Sequence, residues 1–576
     1  MARIKLKTYT MKLRWMWAAV LCLSGLVSAN SQRTLDRPRL IVGIVVDQMR
    51  YDYLYRYYDH YSDSGFKRLL REGFSCENAL YNYAPTYTAP GHAAIYTGTT
   101  PSVNGIVANE WYEREEKRKR YVTEDISVYT VSAEGQTKDN AGIHSPRVLL
   151  SSTVTDELRL ATALQSKVVG ICLKDRGSIL PAGHFPNACY WFEDKTGHWI
   201  TSSYYESQLP EWVKAFNQQN RAQRYLDGEW DKFYPRPYLE SFEGWEPYKA
   251  GKYEPISSVQ PRRFSYNMKF WRDSLFKEYG YNLLRFTPGG NTITMDFALE
   301  AIDKMALGQD EYPDMLCLSF STPDYCGHQF GIHAEEVQDI YLRLDLEVAR
   351  LLKFLDERFG KHNVLVFLTA DHGAAETPRH LREALRVPVG VFNGKLLDAT
   401  LNSSLDARFG SAGKDSPDKW VLAVYNQQLW LNDSLIKRRN LSEKEVIKAI
   451  KDIMRSMPGV YDVLTVQEAM QLPAEYPFIA EIRRGLHPKR SGDVLFLLEP
   501  GWHADDKYFS EGGTTHGSPY PYDTHVPLLW YGWKITPGRT VQPVSITDIA
   551  PTLSAMLHIM RPNGCTGKII ETLWRD

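Results

Sequence analysis

The sequence predicts an α/β fold, with a mostly parallel central sheet flanked by helices and large insertions that form a cap. Three apolar runs carry this prediction, at residues 40–46, 315–320 and 364–368, and each is typical of a strand buried on both faces of a parallel sheet. Each run leads into a segment that contains an aspartate. Because the carboxyl ends of parallel strands meet at one edge, where open α/β sheets bind ligands, we expect a functional site there.

Polar side chains follow each of these strands. Asp47 follows the first run, Asp324 and His328 follow the second, and Asp371 and His372 follow the third. Three carboxylates on one rim repel each other unless cations neutralise them. Oxygen and imidazole ligands without thiolates suit zinc or a similar divalent ion. The three segments together therefore predict a metal site, although the third one alone is more simply a turn in which Asp371 caps a helix.

The composition is that of an ordinary globular protein, with 576 residues of which 43% are hydrophobic and 24% charged. A formal net charge of -1 gives no indication of a nucleic-acid partner. Because the predicted ligands are scattered along the chain, one catalytic domain at residues 38–560 fits better than a row of separate domains. Within it we predict a cap rich in Tyr and Trp at about residues 181–286, and a second insertion without recognisable chemistry at about 379–493.

The first 29 residues have the pattern of an export signal peptide. Basic residues precede an apolar stretch at 15–27, and the small residues at 27–29 offer a cleavage site. This stretch is too short for a transmembrane helix, so we expect a periplasmic or secreted protein without stable membrane insertion. The remaining cysteines are even in number, which permits disulfides in an oxidising compartment, although Cys317 lies in an apolar strand and is expected to be a buried thiol. These cysteines are Cys76, Cys172, Cys189, Cys317, Cys326 and Cys565.

The segment at residues 83–105 offers a nucleophile. It places hydroxyl residues at a predicted loop-to-helix junction, where free backbone N–H groups and the helix dipole favour a phosphate or similar anion. Thr88 is the candidate nucleophile, and Thr86 is the second choice. The alternative is that both threonines only cap the helix, which is common.

A cluster of charges lies at residues 174–176. Strand alternation predicts that Lys174 and Arg176 project from one face and Asp175 from the other. Two cations projected together can clamp a dianionic phosphoryl group. The alternative is the charged end of a surface strand, which is the more common outcome for such a tripeptide.

Two histidines far apart in the chain complete the predicted site. Asp324 and His328 are four residues apart, so on a helical turn they face the same way and form a workable ligand pair. His516 lies in the Gly- and Pro-rich loop at 512–527, which can return to a site whose other ligands come earlier. We interpret His525, in the same loop, as an ordinary loop residue.

Six pieces of the sequence resemble the alkaline phosphatase superfamily. Within it, the chain is similar to the exported, threonine-nucleophile PafA-type alkaline phosphatases, which are relatives of the nucleotide pyrophosphatase/phosphodiesterases. The resemblance covers the core from Asp47 to the tail and implies an alkaline-phosphatase-like fold. The matching pieces, in order, are Asp47, T-A-P-G-H at Thr88, K-D-R-G at Lys174, D-Y-C-G-H at Asp324, A-D-H-G at Asp371 and G-T-T-H-G at His516.

This resemblance implies two zinc ions per chain, which would balance the three carboxylates. It also implies attack by Thr88 on phosphorus and a phosphothreonine intermediate, because metal coordination lowers the pKa of an alcohol. Asn109, Lys174 and Arg176 match the positions that bind the phosphoryl oxygens in the monoesterase branch. The implied ligands are Asp324, His328 and His516 for one ion, and Asp47, Asp371, His372 and Thr88 for the other.

The expected function is therefore hydrolysis of small phosphorylated metabolites as monoesters, by a monomer. The alternative is a phosphodiesterase or nucleotide pyrophosphatase with the same metals and nucleophile. A sulfatase is excluded because the segment at Thr88 is not a C/S-x-P-x-R motif, and a binding protein that kept the fold would normally have lost a ligand. One departure from the family is Cys326, between two ligands, which we expect to be reduced and to serve packing.

Overall fold

The computed structural model describes residues 36–233, 265–275, 277–411, 418–505 and 513–574. From Arg39 onward the chain forms one compact unit. The predicted signal peptide at residues 1–29 and the part of the predicted cap at 234–264 lie outside the described residues. Among the described helices, none combines the length and the apolar composition needed to cross a membrane.

The described core is built on one large sheet of eleven strands, which confirms the predicted α/β class. Across the sheet the strands lie in the order β11-β2-β10-β9-β1-β8-β5-β6-β7-β3-β4. In chain order they are β1 (Leu40–Val46), β2 (Phe74–Cys76), β3 (Thr130–Ser132), β4 (Gly135–Thr137), β5 (Val168–Cys172), β6 (Ala188–Glu193), β7 (His198–Ser202), β8 (Asp314–Phe320), β9 (Val364–Thr369), β10 (Leu528–Gly532) and β11 (Gly538–Thr540).

The central strands β9, β1, β8, β5 and β6 are parallel, whereas β10, β7, β3 and β4 run antiparallel to their neighbours. In β1, Leu40 pairs with Asp314 of β8 and with Val364 of β9, so the three strands are in register. Every residue of β1, β8 and β9 is buried, as their apolar runs predict. This register brings the carboxyl ends of the three strands to the same edge.

Helices pack against the strands of the sheet. Five of them concern the site: α1 (Thr88–Thr97), α2 (Asp175–Ala182), α3 (Thr322–Phe330), α4 (Glu335–Phe359) and α5 (Pro378–Glu383). The apolar positions of α4 pack on the main hydrophobic core. Other helices of the core are Phe66–Glu72, Val154–Ala161, Glu211–Gln218, Arg221–Leu226, Pro288–Lys304 and Ile549–Leu557.

Part of the segment predicted to form a cap belongs to the central sheet instead. Pro181 lies inside α2, and β6 and β7 extend the central sheet, because β6 pairs in parallel with β5. Residues 188–193 form an almost wholly buried run, so they add a strand to the sheet and not a lid. Trp199, in β7, serves packing: its ring stacks on Phe297 with centroids 4.4 Å apart.

The second predicted insertion contains a smaller antiparallel sheet with its own hydrophobic core. Its strands, in spatial order, are Val421–Tyr425, Gln428–Leu431, Val494–Leu498 and Val460–Thr465. The helices Gly394–Phe409, Asp433–Arg438, Glu443–Met454, Val466–Gln471 and Ile479–Gly485 belong to the same region. A capping box of Ser442 and Glu445 lies at the start of Glu443–Met454.

The described structure also contains short strands outside these two sheets. The hairpin Glu110–Glu113 and Arg118–Tyr121 lies next to the site. The others are Ala79–Leu80, Glu229–Trp230, Tyr266–Asn267, Val391–Asn393, His503–Asp505, His525–Val526 and Val544–Ser545. All six cysteines of the described chain are unpaired thiols, and Cys317 and Cys326 are buried.

Candidate active site

The first group of ligands joins helix α3 to the loop near the end of the chain. Asp324 and His328 lie one turn apart on α3, as their spacing predicts, and Nε2 of His328 is 3.1 Å from Oδ1 of Asp324. His516 approaches from the late loop, with its Nε2 3.7 Å from the same oxygen. One ligand atom of each residue lies within 4.8 Å of the other two. The structure therefore brings this predicted set together.

The second group lies at the carboxyl ends of β1 and β9. Asp47 follows β1 directly, and Asp371 and His372 follow β9. Nε2 of His372 is 3.5 Å from Oδ1 of Asp47 and 3.8 Å from Oδ1 of Asp371, and the three side chains are fully buried. Burial and the neighbouring carboxylates of Asp324 and Asp371 raise the pKa of Asp47 well above its usual range.

The hydrogen bonds of the three imidazoles indicate cation ligands. Nδ1 of His328 donates to the carbonyl of Thr514 at 2.8 Å, because a carbonyl oxygen can only accept. Nδ1 of His516 and Nδ1 of His372 likewise donate to backbone carbonyls, at 2.7 and 2.9 Å. Each Nε2 is then unprotonated in the neutral ring and faces carboxylate oxygens. Second-sphere bonds of this kind orient the histidine ligands of metals.

Three atoms of the second group are buried without a hydrogen-bond partner among the described residues. They are Oδ1 of Asp47, Oδ2 of Asp371 and Nε2 of His372, and the first and the last of these face each other. Two acceptors that face each other at 3.5 Å repel, and leaving either one unsatisfied costs about 1–3 kcal/mol. A divalent cation between them would satisfy both, so these residues fit a metal of the zinc class.

Lys174 lies between the two groups and contacts both. Its Nζ is 2.6 Å from Oδ2 of Asp47 and 2.6 Å from Oδ2 of Asp324. Burial opposes the charge of this ammonium, but the carboxylates of Asp324 and Asp47 raise the pKa of Lys174 above its usual value. The prediction that residues 174–176 continue a strand is wrong: β5 ends at Cys172, and Lys174 is the N-cap of helix α2.

Arg176 lies in the first turn of α2 and not on a strand face with Lys174. Its Nη1 donates to the phenol oxygen of Tyr121 at 2.8 Å, and that phenol donates to Asp175 at 2.9 Å. Nε of Arg176 is buried without a hydrogen-bond partner among the described residues. The guanidinium is therefore held on one edge, and another part of it remains available to a ligand.

Thr88 is the first residue of helix α1 and is 1% exposed. The next residue, Ala89, donates its backbone N–H to Oδ1 of Asn109 at 2.9 Å, which leaves the amide nitrogen of Asn109 to donate elsewhere. Thr86 has a structural role, because its hydroxyl donates to the carbonyl of Ser518 and its own carbonyl accepts from His516. This agrees with the choice of Thr88 over Thr86.

The sequence analysis missed two residues that connect the groups. The side chain of Gln48 donates to Oδ1 of Asp324 at 2.8 Å, and its backbone N–H donates to Oδ1 of Asp371 at 3.1 Å. His92 donates from Nδ1 to the carbonyl of Thr88 at 2.9 Å, and the same nitrogen lies 3.3 Å from Oδ2 of Asp371. Their only signals in the sequence are adjacency to Asp47 and a place in the T-A-P-G-H segment.

His525, which we interpreted as an ordinary loop residue, lies outside both groups. Its Nε2 bonds to the carbonyl of Glu77 at 2.9 Å, and its ring stacks on Tyr51.

The described site has the form of a phosphoryl-transfer site. It combines the two ligand groups, the buried lysine between them and a threonine at a helix N-terminus. The fold and this site define an enzyme of the alkaline phosphatase superfamily.

Comparison with known proteins gives the family directly. The sequence profile of type I phosphodiesterases / nucleotide pyrophosphatases matches residues 41–519. The chain belongs to this family, in the branch that resembles PafA.

Relatives match over nearly the whole chain. Alkaline phosphatase PafA of Elizabethkingia meningoseptica is 40% identical over 569 residues, with 98% of this chain and 99% of PafA covered. Alkaline phosphatase PhoV of Synechococcus elongatus is 39% identical over 576 residues, with 96% and 99% covered. A protein of Myroides odoratus named calcium-transporting ATPase is 43% identical over 556 residues, with 96% and 97% covered. The crystal structure of wild-type alkaline phosphatase PafA superposes with a TM-score of 0.86 at 40% identity, covering 94% of this chain and 100% of that one.

Proposed function

We propose that this enzyme is a zinc-dependent phosphate monoester hydrolase that acts through a phosphothreonine intermediate. The observation that carries the proposal is the place of Lys174, whose ammonium touches one carboxylate of each ligand group. A cation there is next to any phosphoryl group bound between the two groups. Its relatives PafA and PhoV are named alkaline phosphatases.

Two zinc ions, held by the two groups and by Thr88, would supply charge stabilisation for the attacking and leaving oxygens. The chain itself supplies the nucleophile. Thr88 gives its hydroxyl proton to solvent and attacks phosphorus in line, which forms the Thr88–phosphate bond as the bond to the leaving oxygen breaks. The leaving oxygen takes up a proton from solvent and departs as the alcohol. Water then hydrolyses the phosphothreonine, which returns the threonine and releases phosphate with net retention at phosphorus. The position of Thr88, at the start of α1, favours an anion beside its hydroxyl.

Three donors are available for the non-bridging phosphoryl oxygens. The backbone N–H of Ala89 bonds to the side-chain oxygen of Asn109 and so fixes the orientation of the amide. The amide nitrogen of Asn109 then remains as a donor for the substrate. The ammonium of Lys174 and the unengaged part of the Arg176 guanidinium add two positive charges. Charge-assisted hydrogen bonds are roughly twice as strong as neutral ones, so these cations favour a dianionic monoester over a monoanionic diester.

The second candidate is a phosphodiesterase, since the profile that matches residues 41–519 is that of type I phosphodiesterases. The test compares kcat/KM for an aryl phosphate monoester and for its methyl diester, on zinc-loaded enzyme at mildly alkaline pH. A large monoester preference is the expected result. A diester preference would mean that Lys174 and Arg176 serve another purpose, and the second candidate would replace the first.

We further propose that residues 38–560 form the catalytic domain of a monomeric protein that is exported after cleavage of residues 1–29. The basic and apolar pattern at the N-terminus supports the export step. N-terminal sequencing of protein from the cell envelope would test it, with a first residue near Asn30 expected.

A further inference from the structure

A third group of metal-binding side chains lies outside the two groups of the active site. His333 comes from the turn between α3 and α4, Glu376 from the loop after His372, and His380 from helix α5. One ligand atom of each lies within 4.8 Å of the other two. The three come from separate segments, so tertiary structure and not local sequence brings them together.

Contacts around the carboxylate hold it in a fixed direction. Oε2 of Glu376 is 2.7 Å from Nε2 of His333, whereas Oε1 lies on the side of Arg50, 3.7 Å from its Nη1. The backbone carbonyl of Glu376 accepts from Nε2 of His503 at 2.9 Å. One carboxylate oxygen therefore faces the histidines, and the other has a cationic second-sphere partner of the kind that orients ligating carboxylates.

The two imidazoles converge from different directions. The ring centroids of His333 and His380 are 4.9 Å apart, with the ring planes at 49°. Thr377 caps α5 by accepting from the backbone N–H of His380, which fixes the start of the helix that carries this side chain. The side chains of His333 and Glu376 are 13% and 26% exposed, so an ion can enter from solvent and keep a water ligand.

We propose that His333, Glu376 and His380 bind a third divalent cation of the zinc class. Two imidazoles and one carboxylate, with a water in the fourth position, are a recurrent donor set for zinc. Calcium and magnesium prefer oxygen ligands throughout, so two imidazoles disfavour them. The proposal concerns different residues from those of the active site and does not depend on the proposed function.

Binding requires small local changes. Zinc–nitrogen and zinc–oxygen bonds of about 2.0–2.1 Å in tetrahedral geometry separate two ligand atoms by about 3.3 Å, so the 2.7 Å contact of His333 with Glu376 must widen. His333 must also carry its proton on Nδ1, which now lies 3.4 Å from Nη1 of Arg56. Arg56 keeps other partners, because it donates to the carbonyl of Ile332 and pairs with Asp52.

The surrounding charges allow a cation at this place. Asp52 pairs with both Arg50 and Arg56, at 2.7 and 2.8 Å. Together with Glu376, it balances the two guanidinium groups. A divalent ion would therefore enter surroundings with no net positive charge. Any proton carried by the ligating nitrogens of the histidines would leave when the ion binds.

The bound ion would stabilise the loop that carries part of the active site. Glu376 follows His372 by four residues. The residue before Glu376 is Ala375, which donates its N–H to the carbonyl of Thr515 at 3.0 Å. Thr515 precedes the ligand His516. An ion held by His333, Glu376 and His380 would thus connect the segment before α4 and the start of α5 to the loop that follows His372. The ion itself would lie outside both ligand groups.

The experiment counts zinc in the full-length mature chain. Protein is stripped with a chelator, dialysed against buffered free zinc, and analysed for bound zinc per chain by mass spectrometry. The variants are H333Q/H380Q and, as a matched control, H362Q, which changes an exposed histidine in the turn after α4. A further variant, D47N/D324N/D371N, weakens both groups of the active site.

We expect H333Q/H380Q to bind one zinc ion fewer than the wild type, and H362Q to bind the same number. The aspartate variant should retain one ion. Equal zinc in H333Q/H380Q and wild type would overturn the proposal and leave a hydrogen-bonded His–Glu cluster. If the double variant did not fold, the single variant H380Q would give the same comparison. A wild type that binds only two zinc ions would contradict the third site but not the proposed function. An aspartate variant that loses no zinc ion would contradict the two-zinc active site but not the third site.

Discussion

The phenol oxygen of Tyr121 accepts a hydrogen bond of 2.8 Å from Nη1 of Arg176. Tyr121 ends the hairpin that follows Asn109, and the backbone N–H of Val122 donates to the carbonyl of Asn109 at 3.0 Å. One hairpin therefore positions two of the three proposed donors to the phosphoryl group. A change in Tyr121 should affect catalysis although it belongs to neither ligand group.

Tyr121→Phe should lower kcat/KM for a phosphate monoester by about 10-fold, because a hydrogen bond to a charged group contributes about 1.5–3 kcal/mol and part of it is replaced by water. The diester rate should change less, since a monoanionic ester depends less on Arg176. Steady-state kinetics with both esters measure the effect. Tyr461→Phe, at an exposed tyrosine, is the control. Equal losses on both esters would show that Tyr121 acts on folding and not on Arg176.

Thr88→Ala should lower kcat/KM for monoesters by about 10³-fold or more, because the nucleophile is lost. Zinc should remain bound, because most of the ligands stay. Thr88→Ser should keep part of the activity and should still form a phosphorylated enzyme. Acid quenching with a labelled substrate detects that intermediate. Thr86→Val is the matched control, since Thr86 bonds to Ser518. Label that persists in Thr88→Ala would assign the nucleophile to another residue.

Lys174→Ala and Arg176→Ala should each lower kcat/KM for the monoester by about 10²-fold and lower the diester rate much less, because each removes a charge-assisted bond to a dianion. The ratio of the two kcat/KM values is the measured quantity. Lys448→Ala removes an exposed lysine that pairs with Asp452 and should leave the ratio unchanged. An unchanged ratio in both site variants would contradict their assignment as donors to the dianion.

Removal of the metals should reveal a second role of Lys174. Its ammonium lies against the carboxylates of Asp47 and Asp324, so we expect it to compensate their charge when no metal does. Lys174→Met should then lower the free energy of unfolding by about 3–5 kcal/mol, because it leaves buried carboxylates uncompensated. With zinc bound the loss should be smaller. Urea unfolding with chelator and with zinc makes the comparison, and equal losses in the two conditions would argue against this role.

Gly91→Ala should disturb the site through the backbone. A Cβ at this position would lie 2.3 Å from the carbonyl oxygen of Asp371 and 2.7 Å from its Cβ, so α1 and the Asp371 segment must separate. We expect a loss of about 1–3 kcal/mol in stability, as for other overpacked positions, and a large loss of activity. Gly228→Ala has nothing within 4 Å of the added methyl group and should do neither. Thermal unfolding and kinetics test both variants.

The grouping of the ligands was accessible from the sequence because it follows from a general rule of parallel sheets. Asp47 and Asp371 end adjacent strands in register, so their proximity needs only the apolar runs and the direction of the strands. The pair of Asp324 and His328 needs only the period of a helix. These inferences use local patterns and one topological rule.

The remaining contacts depend on side-chain directions that no local pattern encodes. The strand alternation expected for Lys174 fails because β5 stops at Cys172 and a helix begins, which turns Lys174 toward the carboxylates. Gln48 and His92 act through contacts with residues hundreds of positions away or on other elements. His380 lies in a segment where the sequence analysis found no chemistry, because its partners His333 and Glu376 meet it only in the fold.

The pairing of β1 with β8 and β9 has a consequence for how the chain matures. Leu40 pairs with Asp314 and Val364, so the first strand of the sheet has no central neighbour until most of the polypeptide exists. Closing such long loops is slow, and an apolar strand left waiting is prone to aggregate. His516, near the end of the chain, completes one ligand group. A polypeptide that stops before His516 thus lacks one member of this proposed ligand group, and metal retention is expected to distinguish finished molecules from unfinished ones.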